Sequence, residues 1–203
     1  MSSVHHCGRL GAEGYGNVID VAPASSAAID WARLDGARRT FAATSACGVC
    51  GRRTVGDLLD GPPPLPPSPV LPAAAIFAAV AALRSNQPAF AATGGTHCAA
   101  LFAPDGALVA AHEDVGRHNA VDKVVGALLV ARTRGAAAPA LLAVSSRAGL
   151  EVVQKAARAG VPIVASVSAP TSLAVALARE AGLTLAAFVR NGRMNVYAAP
   201  HRI

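Results

Sequence analysis

The second half of the chain alternates between short apolar runs and helix-like segments, and this alternation restricts the fold more than any other feature. Strand-like runs at 139–144, 161–167 and 183–189 are separated by helix-like segments at 150–159 and 168–181. Such strand–helix–strand units are typical of parallel sheets. The first two runs are almost entirely apolar, as expected for strands buried on both faces. The pattern predicts an α/β fold with a mixed, largely parallel sheet and helices on both faces.

Shorter signals extend this prediction along the chain. Pro104-Asp105-Gly106 predicts a tight hairpin turn, and Asn191-Gly192 is a strong signal for a two-residue hairpin. Pro72 suits the first position of a helix that runs to Leu83, and the apolar spacing at 120–132 predicts another helix. We also expect a strand at Ala89–Thr93.

Composition shifts divide the chain into four parts. We expect residues 1–16 to be a disordered N-terminal tail and residues 17–60 to hold a strand and a Cys-x-x-Cys segment. Proline is dense at 61–71, which predicts an extended surface linker. Residues 72–203 then form the α/β core, which is the part expected to bind a cofactor.

The bulk composition excludes several classes of protein. Hydrophobic residues make up 53% of the chain and charged residues 15%, which excludes disorder over the whole length. The net charge is +6, but there are only 5 Phe, 2 Tyr and 1 Trp, and the basic residues are scattered. We therefore expect no nucleic-acid partner. No apolar run is long enough to span a bilayer and no signal peptide is visible, so a cytoplasmic protein without a membrane partner is expected.

A pair of cysteines, Cys47 and Cys50, lies between a β-prone segment and a possible helical turn. A cysteine at a helix start lies near unpaired N–H groups, whose partial positive charge favours the thiolate. Arg52 and Arg53 act in the same direction. Because the thiolate is the nucleophile in sulfur chemistry, the two cysteines are the candidate catalytic residues.

Four interpretations of this pair remain open from the residues alone. A zinc site would need further ligands, for which only His97, Cys98 and His112 are available at non-standard spacing. A thioredoxin-like dithiol is compatible with the local motif. A structural disulfide is less favoured, because no cysteine framework surrounds the pair. In the fourth interpretation, one thiolate carries a sulfane sulfur as a persulfide and the other helps to release it.

Polar loops follow the predicted strands, at 112–119, 145–147 and 166–171. In open α/β sheets, ligands bind outside the carboxyl ends of the strands, where helix N-termini favour anions. Each serine taken singly is better explained as a helix cap. The convergence of three such loops on one edge predicts a nucleotide-like or pyrophosphate-bearing ligand.

Five stretches together resemble the formate dehydrogenase accessory sulfurtransferase family, FdhD. The similarity runs from about Asn17 to the C-terminus, and it is the ordered set of stretches that makes it specific. The stretches are Ser45–Gly51, Thr93–His97, Glu113–Lys123, Ser145–Arg147 and Phe188–Tyr197.

The resemblance implies a sulfurtransferase role in the maturation of a molybdenum enzyme. Members of this family take sulfur from a cysteine desulfurase as a persulfide and pass it to the molybdenum bis(guanine dinucleotide) cofactor, which formate dehydrogenase requires. The resemblance places the persulfide on Cys47, with Cys50 as the helper, and implies a cytidine-deaminase-like fold and a homodimer. Metal-binding or redox use of the cysteines, or a non-catalytic cofactor-binding scaffold, remain the alternatives.

The candidate cofactor-binding residues come from the resemblance and from the loops, and no residue is assigned to a metal. The family's cofactor-binding segment corresponds to Phe188, Val189, Arg190, Asn191, Gly192 and Arg193. The double glycine at 94–95 adds Gly95, because it permits close approach of a ligand. The polar loops add Arg117, His118, Ser146 and Arg147.

Two departures from the family pattern are visible. Family members usually have a second serine where this chain has Ala46. They also carry an N-terminal β-rich region that this sequence does not show. The expectation that follows is a shortened form or a misassigned start.

Overall fold

The structure is a computed structural model that describes residues 3–7, 10–11, 16, 19–24, 29–31, 65, 70–132, 135 and 138–203. Cys47 and Cys50 lie outside the described residues, as does most of the proline-rich segment. The chain divides into two compact units, residues 1–44 and residues 45–203.

In the first unit, strands β1 (Ser3–His6) and β2 (Ile19–Ala22) pair antiparallel, with Val4 opposite Val21. The predicted strand near residue 19 is therefore observed, but the prediction of a disordered tail over 1–16 is wrong at Ser3–His6. Strand β2 supplies hydrogen-bond partners for the backbone of Ser3–His6. Nothing in the local sequence of Ser3–His6 indicates this pairing.

The second unit begins, among the described residues, with two helices and a hairpin. Helix α1 spans Ala73–Ala82 and helix α2 spans Pro88–Thr93. Strands β3 (His97–Phe102) and β4 (Leu108–Asp114) form the predicted hairpin. Helix α3 follows at Arg117–Arg132.

The remainder alternates as the sequence predicts. The elements are β5 (Leu141–Val144), α4 (Leu150–Arg158), β6 (Ile163–Ser166), α5 (Ser172–Glu180), β7 (Thr184–Arg190) and β8 (Arg193–Ala198). The last two strands are joined by the hairpin turn expected at Asn191-Gly192.

The six strands of this unit form one mixed sheet in the order β4-β3-β5-β6-β7-β8. The β5–β6 and β6–β7 pairings are parallel, whereas β3–β4, β3–β5 and β7–β8 are antiparallel. The mixed α/β prediction is confirmed, but its largely parallel character is limited to β5, β6 and β7. The two hairpins account for the β3–β4 and β7–β8 pairings, because a short turn can only connect antiparallel neighbours. The antiparallel β3–β5 pairing joins strands that β4 and α3 separate along the chain.

Side chains of the central strands alternate between two hydrophobic clusters, one on each face of the sheet. Leu142 and Val164 belong to the cluster that also contains residues of α3, α4 and α5. Leu141 and Ile163 belong to the cluster on the other face, which contains Ile76 of α1. Helices therefore cover both faces, as predicted. Within the described ranges, no helix combines the length and the apolar character required to cross a bilayer.

Residues 88–93 are a helix and not the predicted strand. Pro88 occupies the first turn, where its missing N–H costs nothing, and Gly94 ends the helix with a φ of 69°. The carboxylate of Glu113 accepts hydrogen bonds from the N–H groups of Ala89 and Phe90, both at 2.8 Å. This long-range cap stabilises a short helix that its local sequence does not specify.

Truncation of Leu142 tests the central position of β5. We expect Leu142→Ala to lower the free energy of unfolding by roughly 2–5 kcal/mol, because it opens a cavity between the sheet and the helices. The measurement is urea denaturation. Leu129→Ala is the matched control: Leu129 lies on α3 with 49% of its surface exposed, so the expected change is below roughly 0.5 kcal/mol. Equal losses in the two variants would contradict the assigned core.

Candidate functional site

Strand directions bring the predicted site loops to one edge of the sheet. The carboxyl ends of β4, β5, β6 and β7 lie there together with the amino end of β3, because β3 runs opposite to β4 and β5. We call this edge the rim. It comprises His97, Asp114–His118, Ser145–Arg147, Val167–Pro170 and Phe188–Arg190.

Backbone hydrogen bonds connect the loops along the rim. Cys98 N–H donates to the Ser145 hydroxyl at 2.9 Å, and Ser145 N–H donates to the Cys98 carbonyl at 3.0 Å. Further along, Ala148 N–H donates to the Ala169 carbonyl at 3.1 Å. Phe188 N–H then donates to the Ser168 carbonyl at 3.3 Å. The rim is thus a continuous hydrogen-bonded structure from β3 to β7.

A carboxylate holds two basic side chains at the start of α3. Arg117 Nε lies 2.7 Å from Glu151 Oε1, and His118 Nε2 lies 3.1 Å from the same oxygen. Glu151 is only 8% exposed. An arginine–carboxylate hydrogen bond in such a position is charge-assisted and less screened by solvent than a surface pair.

Glu151 lies in the first turn of α4, and Gly149 makes room for its side chain. A Cβ added to Gly149 would lie 2.6 Å from the carboxyl carbon of Glu151, which is closer than van der Waals contact allows. Burial alone would raise the pKa of Glu151, but hydrogen bonds from its own N–H and from Arg117, together with the charge of Arg117, outweigh burial and lower it. Glu151 is therefore an anion at neutral pH.

His97 lies at the rim, where two arginines affect its charge state. Burial, and then the positive charges of Arg117 and Arg147, lower the pKa of His97 below its usual value. Its imidazole is neutral at physiological pH and retains one nitrogen able to accept a proton or a hydrogen bond. The arginines, and not this histidine, supply the positive charge here.

Glu113 and Asp114 serve different elements, as expected for neighbours on a strand. Glu113 caps α2 and also accepts a hydrogen bond from the Thr96 hydroxyl at 2.6 Å. Asp114 accepts from Gly116 N–H at 2.9 Å and lies 2.6 Å from the Lys123 ammonium. Asp114 therefore orders the turn that presents Arg117 to the rim.

An open depression of about 690 Å³ lies at the β7–β8 turn. We call it the Phe188 depression; it is lined by Phe188, Arg190, Asn191, Arg193, Met194 and Asn195. Phe188 has a φ of 54°, and the β7–β8 register shifts between Ala187 and Arg190. A left-handed conformation at a bulky aromatic residue is strained, and such strain often occurs at ligand sites.

The other predicted cofactor-binding residues have different surroundings. The side chain of Val189 is buried in the hydrophobic cluster on the α1 face of the sheet. Gly192 completes the β7–β8 turn with a φ of 68°. Gly95 is exposed and its N–H donates to the Thr93 hydroxyl at 3.2 Å. Ser146 is buried, and its hydroxyl donates to the Arg147 carbonyl at 3.0 Å. Arg147 is exposed at the rim.

Sequence reasoning missed Glu151, Met194 and Asn195. A glutamate in the first turn of a helix is an ordinary favourable charge, so the sequence offered no signal that Glu151 also binds two basic residues. Met194 and Asn195 directly follow the predicted segment and stand within the stretch that matches the family, which was the available signal.

Among the described residues, no three His, Cys, Asp or Glu side chains come together as a possible metal site. Cys98, which was considered as a zinc ligand, is buried. Its burial, and secondarily the charge of Glu113, raise the pKa of the Cys98 thiol to about 11. Cys98 is therefore a poor source of thiolate at neutral pH.

Asp114 makes a pH-dependent contribution to stability. Hydrogen bonds from Lys123 and Gly116 N–H lower the pKa of Asp114 to about 2, below the value of about 4 expected in the unfolded chain. The stabilisation is therefore present above pH 4 and is lost as the pH falls towards 2. We expect Asp114→Asn to destabilise the protein at neutral pH, with the difference from the parent protein shrinking across this window.

The measurement for Asp114 is the urea midpoint of both proteins as a function of pH. Glu180→Gln, at an exposed position on α5, is the control and should leave the profile unchanged. A constant difference between Asp114→Asn and the parent protein from pH 6 to 2 would contradict the assignment.

Comparison with known proteins gives consistent matches. Residues 11–203 match the FdhD/NarQ family. A sulfur carrier protein FdhD of Anaeromyxobacter dehalogenans is 56% identical over 100% of this chain and 72% of its own length. Proteins of the same name from Bordetella bronchiseptica and Mycobacterium tuberculosis are 45% and 46% identical, over 93% and 99% of this chain and 66% and 74% of their own lengths.

A known crystal structure shows the same fold. It is that of a protein assigned as a formate dehydrogenase accessory protein, from Desulfotalea psychrophila, with a TM-score of 0.65 and 38% sequence identity. The similarity covers 72% of this chain and 62% of that chain, so the present chain spans less than two thirds of its structural relative. Because the family match extends over most of the sequence and the fold agrees with it, the chain belongs to the FdhD/NarQ family.

Proposed function

We propose that this protein is a sulfur carrier in the maturation of formate dehydrogenase. Cys47 accepts a sulfane sulfur from a cysteine desulfurase as a persulfide, and Cys50 assists its release. The acceptor is the molybdenum bis(guanine dinucleotide) cofactor, which this protein binds as a substrate. The observation that carries the proposal is membership of a family whose relatives, 45–56% identical to this chain, are named sulfur carrier proteins.

The chemistry of sulfur acceptance requires only a thiolate. Attack by the Cys47 thiolate on a donor persulfide forms one S–S bond, breaks another and returns the donor cysteine as a thiolate, so no oxidant is needed. The alternative cysteines are less suitable. Cys98 has a raised pKa of about 11 and is 1% exposed, and Cys7 stands alone in its part of the sequence.

The Phe188 depression supports binding of a guanine nucleotide. Its volume of about 690 Å³ is within the range of small-molecule sites. The aromatic ring of Phe188 can stack on a base, the amides of Asn191 and Asn195 can pair with its polar edge, and Arg190 and Arg193 can neutralise phosphate. These are the residue types that a guanine dinucleotide arm requires.

The rim supports binding of the pyrophosphate part of the same substrate. Arg117 and Arg147 lie near enough to His97 to affect its pKa. The helices α3, α4 and α5 all begin at this edge of the sheet, where their dipoles favour anions. A dinucleotide cofactor that extends from the Phe188 depression along the rim would meet Arg190 and Arg193 at the turn and Arg117 and Arg147 at the rim.

The sulfur-carrying role predicts a covalent mass increase. Anaerobic incubation with cysteine and a cysteine desulfurase should add about 32 Da, the mass of one sulfur, to the protein. Cys47→Ala should abolish the adduct on the intact protein, because the attacking thiolate is lost. Mass spectrometry of intact protein and of peptides, before and after reduction, is the measurement.

Cys98→Ala and Cys7→Ala are the matched controls and should load sulfur like the parent protein. An adduct on Cys98, or the same loading after removal of both Cys47 and Cys50, would contradict the proposed carrier site. Zinc retained stoichiometrically by the cysteine pair would instead favour metal binding. Restoration of formate dehydrogenase activity by the double variant would favour a non-catalytic scaffold.

The nucleotide site predicts that loss of either arginine of the turn weakens binding of guanosine diphosphate. Arg190→Ala and Arg193→Ala should each lower its affinity by roughly tenfold or more, because each removes a charged partner of phosphate. Isothermal titration of the full chain gives the affinity. Arg179→Ala removes the same charge at the opposite edge, beside Tyr197, and should bind like the parent protein. Uniform weakening in all three variants would indicate a non-specific charge effect.

A further inference from the structure

The geometry at the start of α4 points to Glu151 as a positioning residue: we propose that its carboxylate holds Arg117 and His118 in place at the rim, where the arginine binds the pyrophosphate of the substrate. This inference rests on the proposed function, because it takes a pyrophosphate-bearing molecule as the occupant of the rim. It adds a residue that neither the sequence pattern nor the family segment at the β7–β8 turn brings forward.

The contacts of the carboxylate carry the argument. One oxygen, Oε1, lies within 3.1 Å of nitrogen atoms from two consecutive residues, Arg117 Nε and His118 Nε2. The side chain of Glu151 is 10% exposed, whereas those of Arg117 and His118 are 29% and 22% exposed. A nearly buried anion therefore fixes the inner edges of two side chains whose remaining surface faces the solvent.

The remaining donors of Arg117 are available for a ligand. Glu151 accepts from Nε, and among the described residues no acceptor contacts the terminal amino groups of the guanidinium. An arginine held by its inner nitrogen offers the outer amino groups in a fixed plane, which suits phosphate oxygens. Because the Arg117 side chain is already held in one position before a ligand binds, binding costs less side-chain entropy than it would for a mobile arginine.

Gly149 allows Glu151 to make these contacts. Its backbone, with φ −78° and ψ 169°, is accessible to any residue, so left-handed geometry does not explain the glycine. The glycine is explained by the lack of space for a side chain. An added Cβ would lie 2.6 Å from the Glu151 carboxyl carbon and closer still to both oxygens. The absence of a side chain at 149 allows the carboxylate to fold back over the start of α4 and reach Arg117.

Two substitutions separate positioning from charge. Glu151→Ala removes a negative charge close to the rim, so electrostatics alone would strengthen binding of an anion. Gly149→Ala keeps the charge and displaces the carboxylate, at small cost to the fold because only the end of a flexible side chain must move. If Glu151 positions Arg117, both variants weaken anion binding.

The test measures binding of inorganic pyrophosphate and of guanosine diphosphate to the full chain by calorimetry, together with the gain in mass on sulfur loading. We expect Glu151→Ala and Gly149→Ala to bind pyrophosphate about tenfold more weakly and to load sulfur like the parent protein. Glu151→Gln should bind with intermediate affinity, because its amide oxygen still accepts a hydrogen bond from Arg117 Nε.

Matched controls are Gly126→Ala, at an exposed glycine of α3 with open space around it, and Glu180→Ala on α5. Both should bind pyrophosphate like the parent protein. Unchanged or tighter binding in Glu151→Ala and Gly149→Ala overturns the inference. Should Glu151→Ala fail to fold, Gly149→Ala decides alone: weaker binding supports the inference and unchanged binding overturns it.

The parent protein separates this inference from the proposed function. If it neither loads sulfur nor binds either phosphate compound, the proposed function fails and the positioning role falls with it. If it loads sulfur and binds guanosine diphosphate, but pyrophosphate binding is absent or insensitive to both substitutions, only the positioning role is overturned.

Discussion

Antiparallel hydrogen bonds between β3 and β5 run from Ala99–Val144 to Phe102–Leu141, and the arrangement of the rim depends on them. They place the amino end of β3 beside the carboxyl end of β5. His97 and Cys98 therefore lie beside the Ser145–Arg147 loop. If β3 were parallel to β5, His97 and Cys98 would lie at the opposite edge of the sheet. The reciprocal hydrogen bonds between Cys98 and Ser145 extend this pairing beyond the ladder. The meeting of His97 and Cys98 with the loop after β5 follows from this reversal of direction.

Charge at the rim is arranged by burial and pairing. Carboxylates lie behind the basic residues and orient them: Glu151 contacts Arg117 and His118, and Asp114 orders the turn just before them. Because Glu151 is buried and anionic, it holds its partners more firmly than a surface carboxylate would. The result is a pair of basic side chains with fixed inner contacts and solvent-facing outer surfaces, an arrangement suited to a large polyanion.

The Phe188 depression is built differently, from backbone strain. Positive φ values at Asn191 and Gly192 are what a tight hairpin requires. The positive φ at Phe188 is not required by the hairpin, and it coincides with the shift in register between β7 and β8. A bulge of this kind redirects a side chain away from the regular alternation of a strand. It sets the ring of Phe188 among arginine and asparagine side chains that could bind a nucleotide.

The amino-acid sequence by itself determined the local elements of the second unit. Apolar alternation from 139 onwards, the Asn191-Gly192 turn and the Pro104–Gly106 turn predicted strands and helices that the structure confirms, because these signals act over a few residues. The tertiary structure alone decided the features that depend on distant partners. Residues 88–93 became a helix because Glu113 caps them, and Ser3–His6 became a strand because β2 pairs with them. The antiparallel pairing of β3 with β5, a strand distant in sequence, was likewise set by the tertiary structure. Glu151 acquired its contacts in the same way, since a carboxylate finds Arg117 and His118, more than thirty residues away in sequence, only when α3 and α4 begin at the same edge of one sheet.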